Sequence, residues 1–381
     1  MTSTLAAMGL VDWLILVARV LVTFAGLLVT VMLVIWLERK VVADMQTRIG
    51  PNRAGPFGLL ITLADGIKLF FKEGITPITA DRAVYVIAPV ISVIPAFLAF
   101  AVIPFGTGIH LFGRYIPFQL VNLNIGILWV LTMSSLGVYS VVLAGWSSGS
   151  KYPLLGAIRS SAQMISYEVG MGLALVAVLM YSGSISLRGI VVQQHHLPNV
   201  IPQFPAFVVY AIAALAEVNR PPFDLAEAET ELVAGYHTEY SGIKFAMFFL
   251  GEYLNMVTVS AIAVTLFLGG PNGPHPSFLP WLWPVLWFAV KLFAMIFVYI
   301  WVRATLPRLR YDRLMNFGWK VLIPWGLFWV LFTGAVIVLP DVYGKGRFLR
   351  WSVIAVAAVF VITLLVPLLR SESRPREGAA R

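Results

Sequence analysis

Apolar stretches of the roughly twenty residues needed to cross a bilayer recur along nearly the whole chain. Nine are expected to span, at about 10–37, 84–105, 120–145, 154–181, 204–217, 243–268, 281–302, 321–339 and 351–369. The first is long enough to be a full span rather than a cleaved leader. The fifth is short and runs straight into an acidic segment. Trp281, Trp283, Trp319, Trp325 and Trp351 stand near span ends, where amphipathic rings settle at the membrane–water boundary. The pattern predicts an all-α polytopic membrane protein with about nine transmembrane helices. Residues 1–370 read as a single transmembrane domain, and 371–381 as a disordered basic tail.

A second periodicity stands out in the first long loop, 38–83. The Gly and Pro residues between Arg48 and Pro56 enforce turns. From 57 to 73 the pattern becomes helical. Phe57, Leu59, Leu60, Leu63, Ala64, Ile67, Phe70 and Phe71 cover half of a helical wheel, while Thr62, Asp65, Lys68, Lys72 and Glu73 cover the other half. Such a segment is too short and too polar on one side to span, so it is expected to lie in the interface. It reads either as a surface anchor and docking face, or as one wall of a portal for a lipid-like ligand.

Charge then sets the topology. With the N-terminus outside, the inside segments hold 20 Lys and Arg and the outside loops hold 5. That asymmetry is the positive-inside signature, and it places 38–83 and a second loop, 218–241, on the inside. The net charge of +9 follows from this bias and from anionic lipid, and needs no nucleic acid. Only 12% of the residues are charged. The chain has no cysteine, so thiolate metal sites, disulfides and iron–sulfur ligation by Cys are excluded. No Gly-rich nucleotide loop is present.

Against this basic background the acids are concentrated. Of 18 Asp and Glu, 7 fall between Glu217 and Glu252. Asp224, Glu227 and Glu231 are spaced to share one face if their segment is helical; Glu229 then points elsewhere. Close carboxylates titrate as a coupled set. Glu168 sits near the middle of the fourth span, and Glu252 about ten residues into the sixth. Lys291 is central in the seventh, and a Lys291–carboxylate pair is expected. Ionisable groups at such depth are costly and mark function by default, a structural ion pair between helices being the alternative. The candidate proton-coupling set is Glu168, Glu217, Asp224, Glu227, Glu229, Glu231, Glu239, Glu252 and Lys291. Arg19 is expected to snorkel, and the His195–His196 pair to be solvated. No catalytic or metal-ligating set is expected.

Three segments carry a family resemblance. They are Glu38-Arg39-Lys40 through Arg48-Ile-Gly-Pro-Asn-Arg53-Ala-Gly-Pro, Glu217-Val-Asn-Arg-Pro-Pro-Phe-Asp224 through Glu239-Tyr-Ser-Gly, and Trp301-Val-Arg303 through Gly318-Trp-Lys320. In this order they resemble the family of membrane "heel" subunits of respiratory complex I, the proton-pumping NADH:quinone oxidoreductase, over nearly the whole chain. The resemblance implies a bacterial inner-membrane protein joining a peripheral arm, whose components carry flavin and iron–sulfur clusters, to antiporter-like membrane subunits. It implies a quinone substrate (ubiquinone or menaquinone) in a shared chamber, with no redox centre in this chain. The implied chamber residues are Glu38, Arg39, Arg48, Arg53, Phe57, Asp65, Lys68 and Phe245. Ala226 departs from the proline common in the family, and the Arg-rich tail lies outside its pattern. Two other readings stay open: the equivalent component of a membrane-bound hydrogenase, and a stand-alone ion/proton antiporter, although no inverted repeat is evident.

Overall fold

Leu-, Val- and Ile-rich runs leave a backbone in lipid only one economical way to satisfy its own polar groups, the α-helix. A computed structural model describes residues 9–343, apart from Phe112, Glu227, Ala228, His275 and Ser277, together with Val359. Its long helices are α1 (Leu10–Met45), α3 (Arg82–Phe100), α4 (Gly126–Ser147), α5 (Lys151–Ser182), α8 (Gly242–Phe267) and α9 (Leu282–Thr305). A short amphipathic helix, α2 (Ile61–Phe71), lies between α1 and α3. Two shorter helices, α6 (Leu187–Gln193) and α7 (Phe204–Glu217), precede the acidic loop. After α9 come α10 (Tyr311–Phe317), a π-helical turn (Gly318–Leu322) and α11 (Ile323–Tyr343).

Seven of the helical segments described are long and apolar enough to cross a membrane, the last running Tyr311–Val338; α7 is the shorter eighth. The ninth predicted span, 351–369, and the tail lie outside the described residues, save Val359.

Helix α8 is the centre of the bundle. Of its membrane-crossing window 72% is buried, against 22% for α1. Around it pack α3, α9, α1 and α7, with Tyr210, Val257, Ala261, Leu266 and Phe267 in the shared core. Gly251 permits the close crossing of α8 and α3: a Cβ there would collide with Ser92 Oγ. Gly156 does the same for the acidic loop, since a Cβ would lie 2.8 Å from the Gly235 backbone.

The structure departs from the sequence pattern in three places. Helix α1 does not stop at 37 but continues to Met45, carrying Glu38 and Arg39 beyond the apolar run. The interfacial helix begins at Ile61 rather than 57, and ends at Phe71. Phe57 sits at φ 54 inside a 3₁₀ turn, Pro56–Gly58, between the left-handed Gly55 and Gly58. A Cβ at Gly58 would stand 2.6 Å from Pro51 O, so this turn is tied to a glycine. The outer loop after α3 forms a small antiparallel hairpin, β1 (Ile109–Leu111) with β2 (Arg114–Ile116), pairing Ile109 with Ile116.

Candidate portal and buried ionic cluster

The interfacial helix is clasped to α1. Trp36 Nε1 donates to Phe57 O at 3.0 Å, and Thr62 Oγ1 to Met32 O at 3.3 Å. Arg39 Nη1 meets Asp65 Oδ2 at 2.7 Å, and Lys68 Nζ meets Asp65 Oδ1 at 3.4 Å. Burial by itself would raise the Asp65 carboxyl, but Arg39 and Lys68 outweigh it and hold Asp65 below its ordinary value. None of the residues of α2 is buried; Ile67, Phe70 and Phe71 remain exposed.

Between α1, α2 and α8 lies a cavity of about 610 Å³. Val31, Ile35, Leu63, Ile67, Phe245 and Phe249 supply its apolar wall, and Arg39, Asp65 and Lys68 its charged residues. The volume is within the range of sites for drug-sized organic molecules. Four of the sequence-derived chamber residues, Arg39, Asp65, Lys68 and Phe245, therefore meet at one cavity. Arg48 and Arg53 are exposed on the following loop, Arg48 Nε donating to Gln46 Oε1 at 2.7 Å. Phe57 is 74% exposed and enters only through its carbonyl.

An aromatic ladder on α8 leads inward from this cavity. Phe245 and Phe249 stack at 6.2 Å, and Phe249 meets Tyr253 at 4.8 Å. Beyond Tyr253 lies a cluster drawn from four elements. Arg220, just after α7, contacts Glu38 Oε1 of α1 at 3.1 Å and Glu252 Oε1 of α8 at 2.6 Å. Arg303, at the end of α9, pairs with Glu38, and Tyr253 OH donates to Glu38 Oε2 at 2.9 Å. The Arg220 guanidinium also lies 4.1 Å from the Tyr253 ring centroid. The side chains of Arg220 and Glu38 are only 5% and 7% exposed. Among the described residues two cations and two carboxylates balance at zero formal charge, which lets Glu38 and Arg220 stay desolvated while Arg303 remains partly exposed.

This geometry corrects two expectations. Among the described residues Lys291 pairs with no carboxylate: its Nζ donates to the carbonyls of Leu268, Gly270 and Asn272 at 2.7, 3.0 and 2.7 Å. The carbonyl of Leu268, which caps α8, and two carbonyls of the loop that follows supply the negative potential that a carboxylate would otherwise bring. Glu252 turns instead to Arg220. Nor do Asp224 and Glu231 share a helical face. Among the described residues the backbone around Asp224 is irregular, after Pro221 and Pro222, while Glu231 lies in the short helical turn Glu229–Leu232. Glu227 lies outside the described residues.

The acidic loop is held at several points. Gln163 Nε2 of α5, fully buried, donates to Ala216 O at 2.7 Å and Phe223 O at 2.5 Å. Tyr85 OH donates to Glu239 O at 2.7 Å, and its ring stacks on Tyr240 at 4.1 Å. Asp224 and Glu239 are half-buried. Glu231 is exposed and pairs with Arg159 at 2.5 Å; this hydrogen bond, with Arg308 and Arg310 nearby, holds its carboxyl below the ordinary value. His237, packed against Tyr236 and Phe245, is pushed down to about 4 by burial and is neutral at pH 7.

Deeper, two acids converge on neighbouring serines of α4. Ser134 Oγ donates to Glu217 at the end of α7, and Ser135 Oγ to Glu168 on α5. A small internal cavity of about 30 Å³ touches Ser134, Glu217, Asn255 and Thr258, enough for a water molecule or two. Glu217 Oε2 and Thr258 Oγ1 are buried without a partner among the described residues, which suits such waters. Ser134, Ser135, Arg220, Arg303 and Tyr253 did not emerge from sequence reasoning as site residues. Arg220 and Arg303 carried a signal: each is a cation beside an apolar run, and a cation there requires a counter-charge.

The fold and site define a polytopic helical membrane protein with an apolar cavity beside a largely buried ionic cluster. A family model described as NADH dehydrogenase matches residues 18–334. The chain is 58% identical over 323 residues to the H subunit of NADH-quinone oxidoreductase from Frankia casuarinae (strain DSM 45818 / CECT 9043 / HFP020203 / CcI3), covering 84% of this chain and 72% of that one. It is 52% identical over 374 residues to the protein of the same name from Frankia alni (strain DSM 45986 / CECT 9034 / ACN14a), covering 97% and 83%. The chain belongs to the NADH dehydrogenase family, among the H subunits of NADH-quinone oxidoreductase. The hydrogenase and lone-antiporter readings are not favoured by these similarities.

Proposed function

We propose that this chain is the membrane subunit of a proton-pumping NADH:quinone oxidoreductase that admits quinone through the α1–α2–α8 cavity and couples its reduction to proton movement. The observation that carries this is the continuity from the 610 Å³ cavity, along Phe245, Phe249 and Tyr253, to the Glu38–Arg220–Glu252–Arg303 cluster. An apolar wall with a charged rim suits a molecule with an isoprenoid tail and a polar head. The chain has no cysteine and so offers no thiolate for an iron–sulfur cluster. Flavin and clusters then belong to peripheral-arm partners, which share the chamber, while antiporter-like subunits adjoin in the membrane. The Lys and Arg distribution supports an orientation with the N-terminus outside, and 38–83 and 218–241 inside; in this reading the membrane is the bacterial inner membrane. In this reading residues 1–370 form a single membrane domain followed by a basic tail.

The coupling step rests on electrostatics. Reduction places new negative charge, then protons, near the head of the chamber. Charges separated by about 4 Å in a medium of effective dielectric near 20 interact by about 4 kcal/mol, enough to redistribute protons. Glu38 and Glu252 would sense the change first. The loop acids Asp224, Glu227, Glu229, Glu231 and Glu239, and then Glu217 and Glu168 on their serines, would pass it toward the membrane centre. Lys291, bound to carbonyls, holds the far end of α8 in this scheme.

The test is Ala246→Trp, which puts a large ring into the cavity wall formed by α8. In assembled complex, the KM for a long-tailed quinone should rise about tenfold, on the order of 1.4 kcal/mol, while that for a tail-less analogue stays near wild type. Equal effects on both quinones would reject this route of entry.

A further inference from the structure

The half of α1 farthest from the ionic cluster carries one cation with no carboxylate beside it. Arg19 Nη2 donates to the carbonyls of Gln119 and Leu120, at 2.5 and 3.2 Å, in the loop that follows the β1–β2 hairpin. Its Nε–H is buried and has no acceptor among the described residues. Carbonyls satisfy part of the guanidinium's hydrogen-bonding capacity but none of its formal charge, and a cation at such a depth is expensive unless an anion approaches.

Two grooves meet at this arginine. One, of about 420 Å³, is almost wholly apolar, with Val22, Phe105, Phe118, Trp281 and Val285 on its walls. The other, of about 450 Å³, is mixed, with the polar side chains of Asp12, Arg114 and Tyr115 among apolar ones such as Leu16. Arg19, Ile15, Ile116 and Pro117 belong to both, so the two are continuous along α1. In the mixed groove Arg114 is paired with Asp12. Among the described residues no other carboxylate lines either groove, which leaves a local formal charge of +1 at Arg19.

We propose that this pair of grooves is a specific site for one anionic phospholipid of the leaflet on the N-terminal side of α1. Its phosphodiester would sit over the guanidinium of Arg19, within reach of Arg114, and one acyl chain would lie in the groove walled by Phe118 and Trp281. The layout follows the molecule: an apolar channel, then a cation where the phosphate falls, then a groove with polar side chains for the headgroup. A headgroup without an amine matches the local +1, whereas a zwitterionic one brings a second cation toward Arg19 and Arg114. Arginine suits this task because its planar donors can engage two phosphate oxygens together. The site is separate from the quinone cavity and does not depend on that reading.

The experiment uses the chain purified with its partners in mild detergent and incubated with photoactivatable phosphatidylglycerol or phosphatidylethanolamine in equal amounts, followed by peptide mapping. Phosphatidylglycerol should label the peptides carrying Ile15–Thr23 and Ile116–Leu120 in preference to phosphatidylethanolamine. Arg19→Gln should lower that labelling about tenfold, the loss expected for a charge-assisted contact. Ala18→Trp, which fills the apolar groove and leaves Arg19 in place, should lower it as well, and serves if Arg19→Gln does not assemble. Equal labelling by the two lipids in the wild-type chain overturns the proposal. So does phosphatidylglycerol labelling that survives in an assembled variant.

Discussion

Replacing Arg220 by Met removes the cation that joins the two carboxylates of the cluster. In the structure Arg220 reaches Glu252 at 2.6 Å and Glu38 at 3.1 Å. Glu38 keeps Arg303 and the Tyr253 hydroxyl, but Glu252 loses its ion pair. At charge-centre separations of about 4 Å and an effective dielectric near 20, each lost pair is worth about 4 kcal/mol before desolvation is counted. Desolvation of Arg220 itself offsets part of this, and breaking one partner of a buried pair typically costs about 3–5 kcal/mol. Arg220→Met should therefore lower the temperature of half-inactivation of the assembled complex sharply. Adding Glu252→Gln removes the stranded charge, so the double variant should recover about half of the loss. The assay is residual NADH:quinone activity and retention of the chain in the complex after graded heating of membranes. If the double variant is as damaged as the sum of the two singles, the charges are not coupled and the cluster is not the balanced unit described here.

Two other expectations concern the acidic loop. Glu231→Gln breaks an exposed pair with Arg159, which is worth at most about 1 kcal/mol, so assembly should persist; if the loop carries coupling, proton pumping per quinone reduced should fall, and unchanged pumping with unchanged turnover removes Glu231 from the path. His237, pushed down to about 4, differs from an unfolded histidine near 6.5, so the folded loop loses stability as pH falls through that window and keeps it above. From pH 7 to 5 the loss is about 2 kcal/mol, and hydrogen-exchange protection of residues 235–241, corrected for intrinsic rate, should fall about thirtyfold, but not in His237→Phe; equal losses in both would show that the burial of the ring is not responsible.

Much of this molecule was legible as a one-dimensional pattern. Long apolar runs specify helices because a backbone in lipid has few alternatives, and all eight predicted spans within the described residues have helical counterparts. The amphipathic character of 61–71 was legible for the same reason, since a 3.6-residue period survives without knowledge of neighbours. Its start was not. Gly55 and Gly58 adopt positive φ with no room for a Cβ, Gly55 against the Leu60 side chain and Gly58 against the Pro51 carbonyl, contacts that the helical period does not encode.

Some of the ionisable groups of the site, Glu38, Glu252 and Lys291 among them, were visible in the sequence because charges are rare in so apolar a chain; Arg220 and Arg303 were not singled out. The pairings were not legible. Lys291 and a carboxylate looked complementary, yet Lys291 lies beside three carbonyls at and just beyond the end of α8, and Glu252 lies beside Arg220. Pairing depends on how helices distant in sequence are rotated and staggered against each other: Glu38 and Arg220 stand 182 positions apart. The spans, their inside bias and the identity of several costly charges follow from transfer free energies of individual residues, so they could be read along the chain. Packing alone brings Glu38 and Glu252 against Arg220 and Arg303, sets Ser134 and Ser135 against the two deep acids, and opens an apolar cavity beside them. Cancellation and enclosure are properties of distances between segments, which the linear order of the residues does not contain.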